Sequence, residues 1–415
     1  MKWDKVEIGD IAKVISGFAF KSNDFKQSGV PVIKIKNIKD ENVNIDEGDC
    51  VDSNIEVQSR FHLNDGDILI SLTGSHITLP SSVVGRVARY RHETISYLNQ
   101  RAGKFINIDK SRCIDDYLYY FLLQKETLTR IALKAQGGAN QANISPRDVE
   151  GVEMKLPSLL KQFKVASILS AYDDLIKNNQ KRIKLLEEKA QLHYKELVQD
   201  ISFNKTEREE YLKDCLSFYI GGGWGEEEYS DTFTKPAYVI RGTDIPFIKK
   251  GQITDIPFRY HKESNLASRQ MQPGDIVFEV SGGSKGQPIG RSTLITEKNT
   301  DHFGSPVICA SFCKMLRVNT NASPEFFYLY LLASRENGII SRYEKHSASN
   351  IVNYGFEEFI REQKITLPKE NELRSFTEQV APIFNLISVL GQQNAKLKEA
   401  RDIILPKLMN GELAV

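Results

Sequence analysis

The sequence predicts an α+β protein made of two tandem α/β domains, each followed by a long helix, with the two helices paired as an antiparallel coiled coil and the halves related by a pseudo-two-fold repeat. Three observations carry this. The chain has 415 residues, more than a single hydrophobic core usually serves. The same landmarks occur in the same order in both halves, and each half ends in a heptad seam. The boundaries that follow are 1–157 for the first domain, 158–201 for the central helix, 202–368 for the second domain and 369–415 for the C-terminal helix.

The landmarks run from one end of each half to the other. Ile15-Ser16-Gly17 corresponds to Ile220-Gly221-Gly222, and the alternating strand at Pro31–Ile38 corresponds to Ala237–Ile245. Asp65-Gly66-Asp67-Ile68 parallels Pro273-Gly274-Asp275-Ile276, an offset of 208 residues, and Gly85-Arg86 parallels Gly290-Arg291. The aromatic run Tyr117–Leu123 matches Phe326–Leu332 and reads as a buried helix in both copies. Leu156-Pro157 and Leu367-Pro368 close the two domains at an offset of 211. An offset this steady over a whole half indicates duplication. The Gly-Asp-Ile turns at Gly66 and Gly274 read as structural turns leading into strands.

In the central helix Leu169, Ile176, Ile183, Ala190 and Leu197 recur every seven residues, with Tyr172, Asn179, Leu186 and His193 between them. In the C-terminal helix Phe376, Ile383, Leu390, Leu397 and Ile404 recur in the same way, with Val380, Ile387, Asn394, Arg401 and Leu408 between them. One amphipathic helix cannot bury its stripe alone, so each is the natural partner of the other. A helix of about 35 residues spans roughly 50 Å, which suits a rigid spacer. Asn179 and Asn394 either fix the register of the seam or lie solvated at a frayed contact.

The formal net charge is +1, from 55 Lys and Arg against 54 Asp and Glu, so any nucleic-acid contact has to come from local basic patches. A composition of 40% apolar and 26% charged residues is that of an ordinary globular protein, for which disorder is not the default. The five cysteines are scattered, and Cys309 and Cys313 have no second Cys or His pair beside them, so free thiols are expected and not a zinc site. The N-terminus shows no secretion signal, and no apolar run reaches membrane-spanning length, which predicts a cytoplasmic protein. No phosphate-binding loop, dinucleotide fingerprint, His-Glu-x-x-His or Gly-x-Ser-x-Gly is present, so neither catalytic, metal-binding nor cofactor-binding residues are assigned. Gly221–Gly225 runs into Glu226-Glu227-Glu228, which would repel phosphate, and reads as a turn.

Reading of base edges needs amides and guanidiniums presented from loops, because Asn and Gln pair with adenine and Arg with guanine. In the first half the candidates are Thr73, Ser75 and His76 after the buried strand, then Asn99, Gln100 and Arg101, then Asn140, Gln141 and Asn143. In the second half they are Ser281, Ser284, Lys285 and Gln287, then Ser349 and Asn350. Phosphate contacts are expected from Arg86, Arg89, Arg91, Arg101 and Lys104, and from Lys249, Lys250, Arg259, Lys262, Arg269, Lys285 and Arg291.

Taken together, the landmarks resemble the specificity subunit of type I restriction-modification systems over nearly the whole chain. The resemblance rests on the paired Gly-Asp-Ile turns, Leu156-Pro157-Ser158-Leu159 with Gln162, Asn178-Asn179 with Leu185-Leu186-Glu187, and the terminal segment Arg401–Leu413. Lys161 stands where a glutamate commonly precedes the glutamine, and Leu367–Asn371 is a looser version of the first boundary. The resemblance implies two target-recognition domains, each reading one half of a split double-stranded DNA target, with an antiparallel helical spacer between them. It also implies partners: two adenine methyltransferase subunits, and restriction subunits. S-adenosylmethionine, ATP and Mg²⁺ would belong to those partners and none to this chain. The architecture alone would also fit a two-headed coiled-coil adaptor that binds proteins. A self-sufficient nuclease or methyltransferase would need catalytic residues that the sequence does not offer.

Overall fold

In a computed structural model, all residues are described except 1–2, 46–48, 77–83, 139–140, 205–207, 254, 283–288, 320, 347–351 and 415. The chain divides into two compact units. The first joins Met1–Asp173 to the C-terminal segment Glu399–Val415, and the second is Asp174–Lys398.

In the first unit a six-stranded sheet has the order Lys13–Ser16, Ala102–Ile106, Ile68–Ser71, Val87–Arg89, Asn42–Val43, Ile38–Lys39. A five-stranded sheet contains the parallel pair Val30–Ile33 and Ser96–Leu98. Ile68–Ser71 is fully apolar up to its last residue and buried along its length, as expected of a strand covered on both faces. The aromatic helix Asp115–Leu123 packs into the main core, with Tyr117, Leu118 and Leu122 fully buried. Ile404, Leu405, Leu408 and Met409, at the far end of the chain, pack into the same core.

The second unit repeats these parts. A four-stranded sheet runs Leu216–Gly221, Cys313–Val318, Ile276–Glu279, Ser292–Leu294, and a second sheet holds the parallel pair Lys235–Ile240 and Val307–Cys309. The helix Pro324–Glu336 is capped by the Ser323 hydroxyl, which accepts from the Phe326 N–H, and it buries Phe326, Phe327 and Tyr328.

The duplicated landmarks have physical causes. Gly66 and Gly274 sit at φ +94° and +90°, where side-chain-bearing residues are strained, and each closes onto a distant carbonyl, Tyr90 and Ile295 respectively. The following aspartates cap these turns: Asp67 accepts from the Asn64 N–H and Asp275 from the Gln272 N–H, both at 2.8 Å. Asp67 also pairs with Lys104, and Asp275 with Arg317. At Gly17 and Gly222 an added Cβ would lie 2.2 and 2.1 Å from the carbonyl oxygens of Leu98 and Cys309, so only glycine lets these backbones approach. Each unit also joins its first and last strands in an antiparallel pair, Asp4–Glu7 with Glu153–Leu156 and Arg208–Tyr211 with Lys364–Leu367.

The two long helices are Leu159–Asn204 and Glu370–Met409, and they pack together with antiparallel sense. In the second unit Asn179 and Asn394 are 7% and 4% exposed, and Asn179 Nδ2 donates to Asn394 Oδ1 at 3.0 Å. They therefore meet each other across the seam and are not solvated. Ile183, Ile383, Ile387 and Leu390 are buried around them, with Ile176, Leu186 and Leu397 half-buried. In the first unit Leu169 is fully buried, Tyr172 and Ile404 are half-buried, and Gln162 pins the start of the helix. Its Oε1 accepts from the Ile114 N–H, and its Nε2 donates to the carbonyls of Arg112 and Pro157.

Arg401 is 3% exposed and bonds to Asp173 and Glu41, each at 2.6 Å, and to Asp402. Burial opposes its charge, but the hydrogen bonds and charges of Glu41 and Asp173 outweigh this and hold the guanidinium more firmly protonated than usual.

Candidate nucleic-acid interface

Beyond the buried central strand of each unit the chain enters a small three-stranded ribbon. In the first unit this is Thr73–Gly74, Gln141–Asn143 and Gln136–Gly138, and in the second it is Ser281–Gly282, Val352–Tyr354 and Glu344–His346. The same side-chain pair sits in both ribbons. Thr73 Oγ1 donates to Asn143 Oδ1 at 2.9 Å, and Ser281 Oγ donates to Asn353 Oδ1 at 3.0 Å. Asn143 and Asn353 are exposed, and among the described residues neither amide nitrogen has a partner, so both can donate to an outside acceptor.

The sequence-derived candidates fall into several groups. Gln141 is exposed on the first ribbon, and Ser75 and His76 are half-buried just beyond it. Gln100 and Arg101 are exposed on the turn after Ser96–Leu98, and Asn99 is buried at its base, where its Oδ1 accepts from the Arg101 N–H. The turn is tied to the ribbon, because the Arg101 carbonyl accepts from the Leu72 N–H at 2.9 Å. Arg86 is half-buried.

Arg89 is turned inward. It is 5% exposed, pairs with Asp116 and lies 4.2 Å over the Tyr119 ring, so it joins sheet to helix. Lys104 is likewise 6% exposed and bonded to Asp67 and the His62 carbonyl. Arg291 pairs with the buried Glu279, whose hydrogen bond and charge raise the Arg291 pKa against the opposing effect of burial. Asn140, Ser284, Lys285, Gln287, Ser349 and Asn350 lie outside the described residues.

Asn353 was missed by sequence reasoning, although it stands 210 residues after Asn143 and the repeat itself could have located it. Cys309 and Cys313 are both buried free thiols. Burial pushes Cys309 up to about 12 and Cys313 well above its ordinary value, so both rest as protonated thiols. Among the described residues no cluster of three or more His, Cys, Asp or Glu is placed to hold a metal, and no helix is long and apolar enough to cross a membrane.

Residues 1–188 match the family model described as the type I restriction modification DNA specificity domain. The whole chain aligns with two curated proteins of Methanocaldococcus jannaschii. One is the putative type I restriction enzyme MjaX specificity subunit, 25% identical over 433 positions, and the other is the type I restriction enzyme MjaIX specificity subunit, 24% identical over 442. Both alignments cover 100% of this chain and 94% of the relative. The fold is that of the crystal structure of the type I restriction-modification S subunit from M. genitalium, with a TM-score of 0.57 at 15% identity over 98% of this chain and 96% of that one. The family domain in the first half and end-to-end alignment with curated subunits agree with the duplicated ribbons and paired helices: residues 1–188 match a type I restriction modification DNA specificity domain, and the whole chain is similar to type I restriction enzyme specificity subunits.

Proposed function

We propose that this chain is the DNA-sequence specificity subunit of a type I restriction-modification complex and that each of its two domains, 1–157 and 202–368, reads one half of a bipartite target. The observation that carries the proposal is the duplicated ribbon, in which a hydroxyl orients an exposed amide at the same place in each half of a chain similar to such subunits. An amide with its oxygen engaged donates to base-edge or phosphate acceptors. Specificity subunits are non-catalytic, and this chain's part is to bind, space and assemble.

The paired helices Leu159–Asn204 and Glu370–Met409 set the gap between the half-sites, and their outer faces dock two adenine-specific methyltransferase subunits. Leu175, Leu185 and Leu192, 52%, 64% and 56% exposed on the central helix, support such docking. Restriction subunits complete the complex. S-adenosylmethionine, ATP and Mg²⁺ serve these partners, and the site of action is the cytoplasm. Base contacts come from the exposed candidates Gln100, Arg101, Gln141 and Asn143, with Ser75, His76 and Arg86 beside them, and from Ser281 and Asn353 in the second half.

Selection of bound duplexes from a random library by this chain co-expressed with its methyltransferase subunit tests the proposal at two salt concentrations. The expected result is a split consensus with a fixed gap. Salt-sensitive binding without a consensus refutes it and favours a protein-binding adaptor.

A further inference from the structure

We propose that Phe312 is a specificity-determining residue of the second domain that packs against a thymine methyl group in its half-site. The proposal rests on the DNA-reading function above and names a contact within it. In the first unit the turn after Ser96–Leu98 is Asn99-Gln100-Arg101, closed by the Ala102 N–H donating to the Asn99 carbonyl at 2.9 Å. In the second unit the turn after Val307–Cys309 is Ala310-Ser311-Phe312, closed by the Cys313 N–H donating to the Ala310 carbonyl at 2.8 Å.

Both turns are fastened to their ribbons in the same way. The Arg101 carbonyl accepts from Leu72, and the Phe312 carbonyl accepts from Val280 at 2.9 Å and Ser281 at 3.2 Å. Phe312 therefore occupies the place of Arg101, one of the base-reading candidates, and sits directly beside the Ser281–Asn353 pair.

Phe312 is 61% exposed. Some other exposed aromatics of this unit have neighbours: Trp224 lies under Arg259 at 4.7 Å, and Phe258 meets Tyr238 at 4.9 Å, whereas Phe218 and Phe247, also exposed, stand away from the ribbon turn. Among the described residues Phe312 has neither a ring nor a cation partner. A bare ring on a turn held by three backbone hydrogen bonds gives up little freedom on contact, which favours its use in recognition. In the major groove the thymine methyl is the apolar feature of the base edges, and phenylalanine is among the side chains that match it. An arginine at the same place suits guanine O6 and N7. The duplicated turn therefore carries two chemistries, a guanidinium in one half and a phenyl ring in the other.

The test uses the full chain with its methyltransferase subunits. Once the wild-type consensus is known, each thymine of the second half-site is replaced in turn by uracil, which lacks only the methyl group, and binding is measured for wild type and Phe312→Ala. At one position uracil should weaken wild-type binding about fourfold, the worth of one buried methyl group, and leave Phe312→Ala binding unchanged. Uracil in the first half-site should affect both proteins equally. Equal uracil penalties in the two proteins at every position overturn the proposal, provided that Phe312→Ala keeps the wild-type melting temperature and the first half-site consensus. Phe312→Leu, which keeps an apolar side chain, should retain a uracil penalty, and its loss together with folding would mark the ring as structural and overturn the proposal too. If wild type selects no split consensus, the DNA-reading function fails first.

Discussion

Arg401 ties the end of the last helix into the first unit, and replacing it with alanine should destabilise that unit selectively. The guanidinium is 3% exposed and bonds to Asp173 Oδ1 and Glu41, while the other oxygen of Asp173 accepts from Tyr120 Oη at 2.7 Å. Removing one partner of a buried ion pair costs about 3–5 kcal/mol because the remaining charge stays unpaired. Asp173 and Glu41 are about a quarter exposed and regain some water, which places the expected loss near the lower end, about 3 kcal/mol. For a unit of this size that lowers the melting temperature by about 6–12 °C. Hydrogen exchange read by mass spectrometry locates the loss. Protection should fall in Asp115–Leu123 and in the strand Glu153–Leu156 and stay unchanged in Pro324–Glu336. Arg401→Lys, which keeps the charge but loses the planar fork, should fall between the two. A loss below about 1 kcal/mol, or one shared equally by the two units, would refute the reasoning.

Asn179→Leu alone leaves Asn394 buried without its partner and should cost about 1–3 kcal/mol, whereas the double leucine variant should recover most of this, and simple additivity in a urea-melt cycle argues against a coupled pair. Burial lowers the pKa of His261 below the usual 6.5, so the unfolded chain takes up the proton first: stability present above pH 6.5 should be lost as pH falls through the folded value, and urea midpoints from pH 8 to 5 should slope less in His261→Gln. His302 shifts in the same direction and keeps part of the slope, but an identical slope in the variant contradicts the assignment. Removing the fully buried Phe326 with alanine should destabilise the second unit by about 3–5 kcal/mol, and a change under about 1 kcal/mol in denaturant melts would place that ring outside the core. Lengthening the central helix by one turn near Lys181 and Ile183 should change the gap in the selected DNA consensus and leave each half-site as it was, and an unchanged gap would sink the spacer role.

The repeat and the seams were legible because they depend on spacing alone. Glycines forced by backbone geometry, such as Gly17 with Gly222 and Gly66 with Gly274, keep their places whatever the side chains around them. Heptad apolar residues reveal a buried stripe equally directly. The sequence cannot show which unit a stretch of helix joins, since the C-terminal seam continues past Leu397 without a break while Leu405 and Leu408 pack in the first unit's core. Charge was legible only as composition. Arg89 and Arg91 look alike in sequence, but Arg89 is buried against Asp116, which lies 27 residues away, and Arg91 is exposed. The Thr73–Asn143 bond spans 70 residues and Ser281–Asn353 spans 72, so the ribbon pairs emerge only when the strands are laid side by side.

The strand pairs that join the start of each domain to its end, Asp4↔Leu156 through Glu7↔Glu153 and Arg208↔Leu367 through Tyr211↔Lys364, also bear on heredity. A segment whose two ends leave side by side is a cassette. Recombination that exchanges the coding sequence between those strands replaces an entire reading surface, and the newcomer has to match the four residue pairs of register together with the contacts that Gln162, Arg401, Leu405 and Leu408 make with the first domain. A lineage carrying such a gene could change one reading surface in a single crossover wherever the newcomer keeps those helix contacts.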